Sequence, residues 1–210
     1  MSVRIIPSIA SADPLALREE MLRLGNYPYL HVDIEDYTFL PCITFGLKTA
    51  KAIASFTKAE LDAHLMHTFS DEFIKPLQSF GFKRVCVHVE SSNFPNRTIN
   101  YIKAAGMEVG LALAMKTPVE YLLPYCDKIN YALLLSSEPD GEEQCNPYAL
   151  EKLKHMRNLL PPETGLWIDG GITKELLPAV VECGADTVIM GRAVWQAEDP
   201  VSAIREMQAR

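Results

Sequence analysis

No run of apolar residues in this chain reaches the length needed to cross a bilayer, and the amino terminus has no basic stretch leading into an apolar core. The reading therefore excludes a membrane span or a secretion leader and predicts a soluble, cytoplasmic chain. Cationic excess is also missing: 20 Lys and Arg stand against 27 Asp and Glu, a formal net charge of −7. That balance argues against nucleic acid or an anionic membrane surface as a partner. The five cysteines, Cys42, Cys86, Cys126, Cys145 and Cys183, form no CxxC pair, and their spacing fits no zinc motif. Reduced, packed thiols are expected. No Pro/Gly/Ser-rich linker divides the 210 residues, so one domain over 1–210 is expected, and 48% hydrophobic content is enough for a sizeable core.

What the chain does contain is alternation. Short β-like runs at Val3–Ile9, Tyr29–Asp33, Glu60–Met66, Arg84–Val89, Glu108–Ala114, Lys128–Leu135, Gly165–Asp169 and Asp186–Met190 are each followed by an amphipathic helical stretch. Asp13-Pro14 reads as an N-cap with proline at the first helical position, and Ser70 and Gly81 bracket another helix. Strict βα alternation implies parallel strands. Eight units in this length predict a single (β/α)8 TIM barrel, with a doubly wound open sheet as the competitor. A barrel would place its active site at the C-terminal strand ends.

The informative polar residues fall at those ends. His31 and Asp33 lie two apart on the second strand and share a face, as do Asp62, His64 and Met66 on the third. The seventh strand ends Trp167-Ile168-Asp169 before Gly170-Gly171, and the eighth ends Met190-Gly191-Arg192. If the barrel closes, His31, Asp33, His64 and Asp169 converge at its mouth. Two imidazoles and two carboxylates suit one divalent metal ion, and Zn, Fe(II), Mn and Co all accept that donor set. Each residue also has a plainer use. His31–Asp33 could be a hydrogen bond that satisfies the core, His64 a packed strand histidine, and Asp169 a turn residue.

Ile6-Pro7-Ser8-Ile9, His31-x-Asp33-x-x-Asp36, Asp62-x-His64-Leu65-Met66, Asp169-Gly170-Gly171 and the glycine ending the eighth strand resemble the ribulose-phosphate 3-epimerase family. The resemblance covers almost the whole chain. Within the family it is most similar to a divergent branch of sugar-phosphate epimerases carrying Asp-Ile-Glu-Asp and Ser-Glu-Pro-Asp-Gly segments. It implies a barrel of the ribulose-phosphate binding type and a metal held by His31, Asp33, His64 and Asp169, with Asp33 and Asp169 doubling as acid and base. It implies that Ser8 and His64 touch substrate, and that the loops of Gly141, Gly170, Gly171 and Gly191 hold a phosphate. The implied partner is a small phosphorylated sugar, in a homo-oligomer. The chemistry fits the residue types: inverting a carbon beside a ketone requires removing a proton from one face and returning one to the other, which two opposed carboxylates can do. A metal ion would polarise the carbonyl, and no redox cofactor is needed.

The sequence departs from the family at its substrate envelope. Glu138-Pro139-Asp140-Gly141-Glu142-Glu143-Gln144 stands where the family has a glycine-rich mobile loop, and Glu35 where it has methionine. Cys42 replaces an asparagine, Ala114-Met115 an Asn-Pro, and Arg192 a small residue. Arg192 is expected either to replace the phosphate donors lost at Glu142 and Glu143, or to pair with one of those acids. His88 is expected to line the pocket, His67 and His155 to lie on the surface, and Trp167 to pack facing away from Asp169. Two other functions stay open. One is a non-catalytic, regulatory sugar-phosphate-binding barrel. The other is a phosphosugar decarboxylase or lyase, weakened because no lysine stands beside Asp33.

Overall fold

The computed structural model describes residues 3–68, 70–138 and 144–209. Eight strands run through it: β1 (Arg4–Pro7), β2 (Tyr29–Glu35), β3 (Glu60–Met66), β4 (Arg84–His88), β5 (Glu108–Ala114), β6 (Tyr131–Leu135), β7 (Gly165–Asp169) and β8 (Thr187–Met190). Between and after them come α1 (Leu17–Arg23), α2 (Leu47–Phe56), α3 (Asp71–Phe80), α4 (Pro95–Ala104), α5 (Ala149–Leu159), α6 (Leu177–Glu182), α7 (Arg192–Trp195) and α8 (Pro200–Gln208). All strand pairs are parallel, in the order β1-β8-β7-β6-β5-β4-β3-β2. A single parallel bridge between Ser8 and His31 joins the two ends of that order. The (β/α)8 barrel is thus formed, and the open sheet is not.

Burial explains why the strands read as continuous apolar runs: a parallel sheet is covered on both faces. One cluster, including Val32, Leu65, Val87 and Ile168, fills the layer between strands and helices. A second, including Ile6, Cys86, Tyr131, Leu133, Trp167 and Ile189, fills the barrel's interior. There the Tyr131 and Trp167 rings stack with centroids 3.8 Å apart and 18° between planes. Trp167 therefore does not face away from Asp169. The two stand on one face of β7, because residues two apart on a strand project together.

Three local expectations are also corrected. Asp13 caps a turn by accepting from the Leu15 N–H (2.9 Å), and α1 starts only at Leu17. The Pro118–Tyr125 stretch forms a 3-10 helix over Val119–Tyr125, where Pro124 supplies no N–H for an α-helical ladder. His67 is buried, its ring 4.1 Å from that of Phe73 at the start of α3, whereas His155 is on the surface as expected. No disulfide joins any two of the five cysteines among the described residues.

Candidate active site

The four donors predicted to converge do so. His31 and Asp33 come from β2, His64 from β3 and Asp169 from the end of β7, and one ligand atom of each lies within 4.8 Å of the others. His31 Nε2 is 3.1 Å from Asp33 Oδ1 and 3.6 Å from Asp169 Oδ2. His64 Nδ1 is 3.5 Å and 3.3 Å from the same two atoms. The pairing of β2 with β3 sets Asp33 beside His64, so strand register supplies this geometry.

The surroundings fix each donor. Ser8 Oγ donates to Asp33 Oδ2 at 2.5 Å, and the Trp195 indole N–H donates to the Ser8 carbonyl at 2.5 Å, tying β1 and α7 to the site. Thr44 Oγ1 donates to the Asp33 carbonyl (2.8 Å) and accepts from the Glu35 N–H (3.1 Å). Buried Ser136, just past β6, donates from its hydroxyl to the carbonyls of Asp169 and Gly170, both at 2.7 Å. Gly170 must be glycine: its φ is +106°, and a Cβ would stand 2.4 Å from Ser137 Oγ.

On the far side of His31, Nδ1 pairs with Asp62 Oδ1, both side chains fully buried. A metal-binding imidazole commonly gives its other N–H to a carboxylate in this way, which fixes the ring so that Nε2 is the atom a cation would take. The donor set therefore fits a divalent cation: two imidazoles and the carboxylates of Asp33, Asp169 and Asp62 form a buried, net-negative cluster.

Electrostatics follow from this crowding. Burial pushes the Asp33 carboxyl up, but the imidazoles of His31 and His64 outweigh it and hold the group well below the usual carboxylate range. Burial pulls His31 down, yet the Asp62 and Asp33 carboxylates leave it well above an ordinary imidazole, and Asp169 and Asp33 raise His64 in the same way. Glu35 is pushed up to about 7 by burial and then by the nearby Asp33 charge.

Ser8, Glu35, Cys42, Asp33 and Asp169 line one open cavity, and Gly170, Gly171, Gly191 and Arg192 line its other side. Gly141, Glu142 and Glu143 lie outside the described residues. His88, expected to line the pocket, does not reach this cavity and is buried against His64 instead: its Nε2 is 2.9 Å from His64 Nε2, and its Nδ1 is 3.2 Å from Glu90 Oε2. Burial lowers His88 to about 4, whereas hydrogen bonds and the His88 ring overcome burial and hold Glu90 at about 2. The roles of Asp62, Glu90 and Ser136 escaped the sequence reading. For two of them a signal existed, in the same-face spacing of Asp62 with His64 and of Glu90 with His88.

Known proteins agree with this architecture. The crystal structure of orotidine 5'-phosphate decarboxylase from Pyrococcus horikoshii OT3 superposes with a TM-score of 0.70, covering 97% of each chain, at 14% identity, a likeness of fold alone. Ribulose-phosphate 3-epimerase from Schizosaccharomyces pombe is 32% identical over 210 residues, covering 97% of this chain and 92% of that protein. The Bacillus subtilis protein of the same name is 32% identical over 214 residues, covering 98% of both. The model of the ribulose-phosphate 3 epimerase family matches residues 4–195. The chain belongs to the ribulose-phosphate 3-epimerase family and is an isomerase acting on carbohydrates.

Proposed function

We propose that the chain is a metal-dependent 3-epimerase of a ketose phosphate, either D-ribulose 5-phosphate/D-xylulose 5-phosphate or a related ketohexose phosphate. The observation that carries this reading is the convergence of Asp33 and Asp169, from β2 and β7, beside two imidazoles at the open end of the barrel. His31, Asp33, His64 and Asp169 would hold one divalent ion, with Zn, Fe(II), Mn and Co all compatible. When bound, such an ion supplies Lewis-acid polarisation of the ketone and charge stabilisation for the ene-diolate.

The chain's own groups do the rest. One aspartate takes the C3 proton from its face, the other delivers a proton to the opposite face, and the two exchange roles with direction. Ser8, held against Asp33, would take a substrate hydroxyl, and His64, 3.5 Å from Asp33, would meet the same ligand. Backbone groups at Gly170, Gly171 and Gly191, with the Arg192 guanidinium, would receive the phosphate, a recurrent use of the β7 and β8 loops in this barrel. Gly141, which lies outside the described residues, belongs to the same proposal. Cysteines kept as thiols favour the cytoplasm, and self-association into a homo-oligomer is part of the proposal. No helix among the described residues is long and apolar enough to cross a membrane.

The test pairs metal analysis with turnover on a small panel of ketose phosphates. One divalent ion per chain is expected, together with epimerisation of at least one member of the panel. A His31→Ala, His64→Ala double variant should lose the ion, with affinity falling by more than the ~10–100-fold typical of changes outside the ligand shell. Full occupancy in that variant, or no turnover anywhere in the panel by the loaded protein, would contradict the proposal.

A further inference from the structure

Behind His64 runs a line of hydrogen bonds whose donor and acceptor order follows from its far end. It ends on Glu90, just beyond β4. Glu90 Oε1 accepts from the Ala114 backbone N–H (2.8 Å) and from the Thr117 hydroxyl. An amide N–H is an obligatory donor, so Oε1 must be an acceptor there. The other oxygen, Oε2, faces His88 Nδ1 at 3.2 Å. A carboxylate only accepts, so Nδ1 carries the proton and a neutral His88 keeps its lone pair on Nε2. That lone pair faces His64 Nε2 at 2.9 Å, so His64 carries its proton on Nε2. The remaining nitrogen of His64, Nδ1, faces Asp33 Oδ1 and Asp169 Oδ2 and is the atom this order leaves for a cation to take.

We propose that Glu90 and His88 are positioning residues that hold His64 in the tautomer able to bind a cation through Nδ1. The proposal rests on the metal-centre reading above. It also gives the segment after β5 a part in the centre. Lys152 on α5 donates to the carbonyls of Ala114 (2.8 Å) and Met115 (3.0 Å), and so fixes the backbone on which Glu90 is anchored. His31 is oriented by one carboxylate in direct contact, Asp62, while His64 is oriented by a carboxylate acting through a second imidazole. Phe39 packs on His88 with ring centroids 4.5 Å apart and covers the relay.

The geometry yields a discriminating variant. Glu90→Gln keeps size and shape, but the Ala114 N–H and the Thr117 hydroxyl still require an acceptor, so the amide oxygen goes to them and the NH2 goes to His88. Nδ1 of His88 must then accept, its Nε2 carries the proton, and His64 is driven to the tautomer with Nδ1 protonated. Loading a cation then forces donor against donor somewhere along the line. Thr117→Val removes a loop anchor and leaves the proton order intact.

The experiment is competition for Zn²⁺ against a chromophoric chelator at fixed pH, with thermal unfolding and long-range ¹H–¹⁵N spectra of the histidine rings. Glu90→Gln should weaken Zn²⁺ binding by ~10–100-fold, within the usual range for partners of metal ligands. Its metal-free chain should show the His88 proton moved from Nδ1 to Nε2, and its turnover should recover at saturating metal. Thr117→Val should bind Zn²⁺ as the unaltered chain does. Unchanged affinity in Glu90→Gln, or equal weakening in both variants, would overturn the relay while leaving the metal centre standing. An unaltered chain that binds no divalent ion would overturn both.

Discussion

Asp33 meets Ser8, His31 and His64 at once, and the two imidazoles outweigh burial and hold its carboxyl well below the usual carboxylate range. A base that must accept a proton from carbon needs the ionised form and a fixed direction, and both come from its neighbours. The residues after β8 line the same cavity as Asp33, where the proposal places the phosphate. Arg192 opens α7 and lines the cavity with Gly191, which brings a guanidinium to a place where backbone N–H groups alone would otherwise face a phosphate. Arg192→Ala should weaken a phosphorylated ketose by roughly 1.5–3 kcal/mol, the range for a hydrogen bond to a charged group, and should leave its unphosphorylated counterpart nearly unaffected. Calorimetry on both ligands checks this. Equal binding of the two by the unaltered chain would contradict a phosphate site.

At the level of elements, β5 and β6 show how a glycine on one strand makes room for a ring from the next inside the barrel. Tyr131 enters the interior because Gly110 on the neighbouring strand has no side chain: a Cβ there would lie 2.4 Å from the Tyr131 ring. Gly110→Ala should destabilise the chain by about 1–3 kcal/mol through overpacking, and adding Tyr131→Leu should recover part of that loss. Urea unfolding of the single and double variants tests it, and an unaffected single variant would contradict the packing. Strands were legible in the sequence where parallel burial makes them continuous apolar runs, and the expected bounds of β3, β5 and β7 match the structure. The convergence of His31, Asp33, His64 and Asp169 was legible because strand period and strand-end position both survive folding. The 3-10 helix at Val119–Tyr125 was hidden by an amphipathic pattern shared with α-helices, its prolines being the missed signal. Glu90's role depends on a contact with the segment after β5, a tertiary pairing that no spacing within β4 encodes.

As a whole molecule, the chain shares its barrel with a decarboxylase at 14% identity and is 32% identical to two ribulose-phosphate 3-epimerases over nearly its full length. The fold is common ground for different reactions, and the side chains at the strand ends separate them. Three strands, β2, β3 and β7, deliver the four donors to one point, and β1 joins β2 there through the single Ser8–His31 bridge. The seam that closes the barrel and the centre that would perform the chemistry are the same place. The central claim is that Asp33 and Asp169 exchange a substrate proton across this centre. The most direct test is NMR of a ketose phosphate that the loaded chain turns over, incubated with that chain in heavy water. The account predicts deuterium at C3 of both epimers with the unaltered protein, and loss of epimerisation in Asp33→Asn and in Asp169→Asn, one of which can still exchange the C3 hydrogen of a single epimer. Epimerisation without C3 exchange, or full activity in either variant at normal metal content, would contradict it.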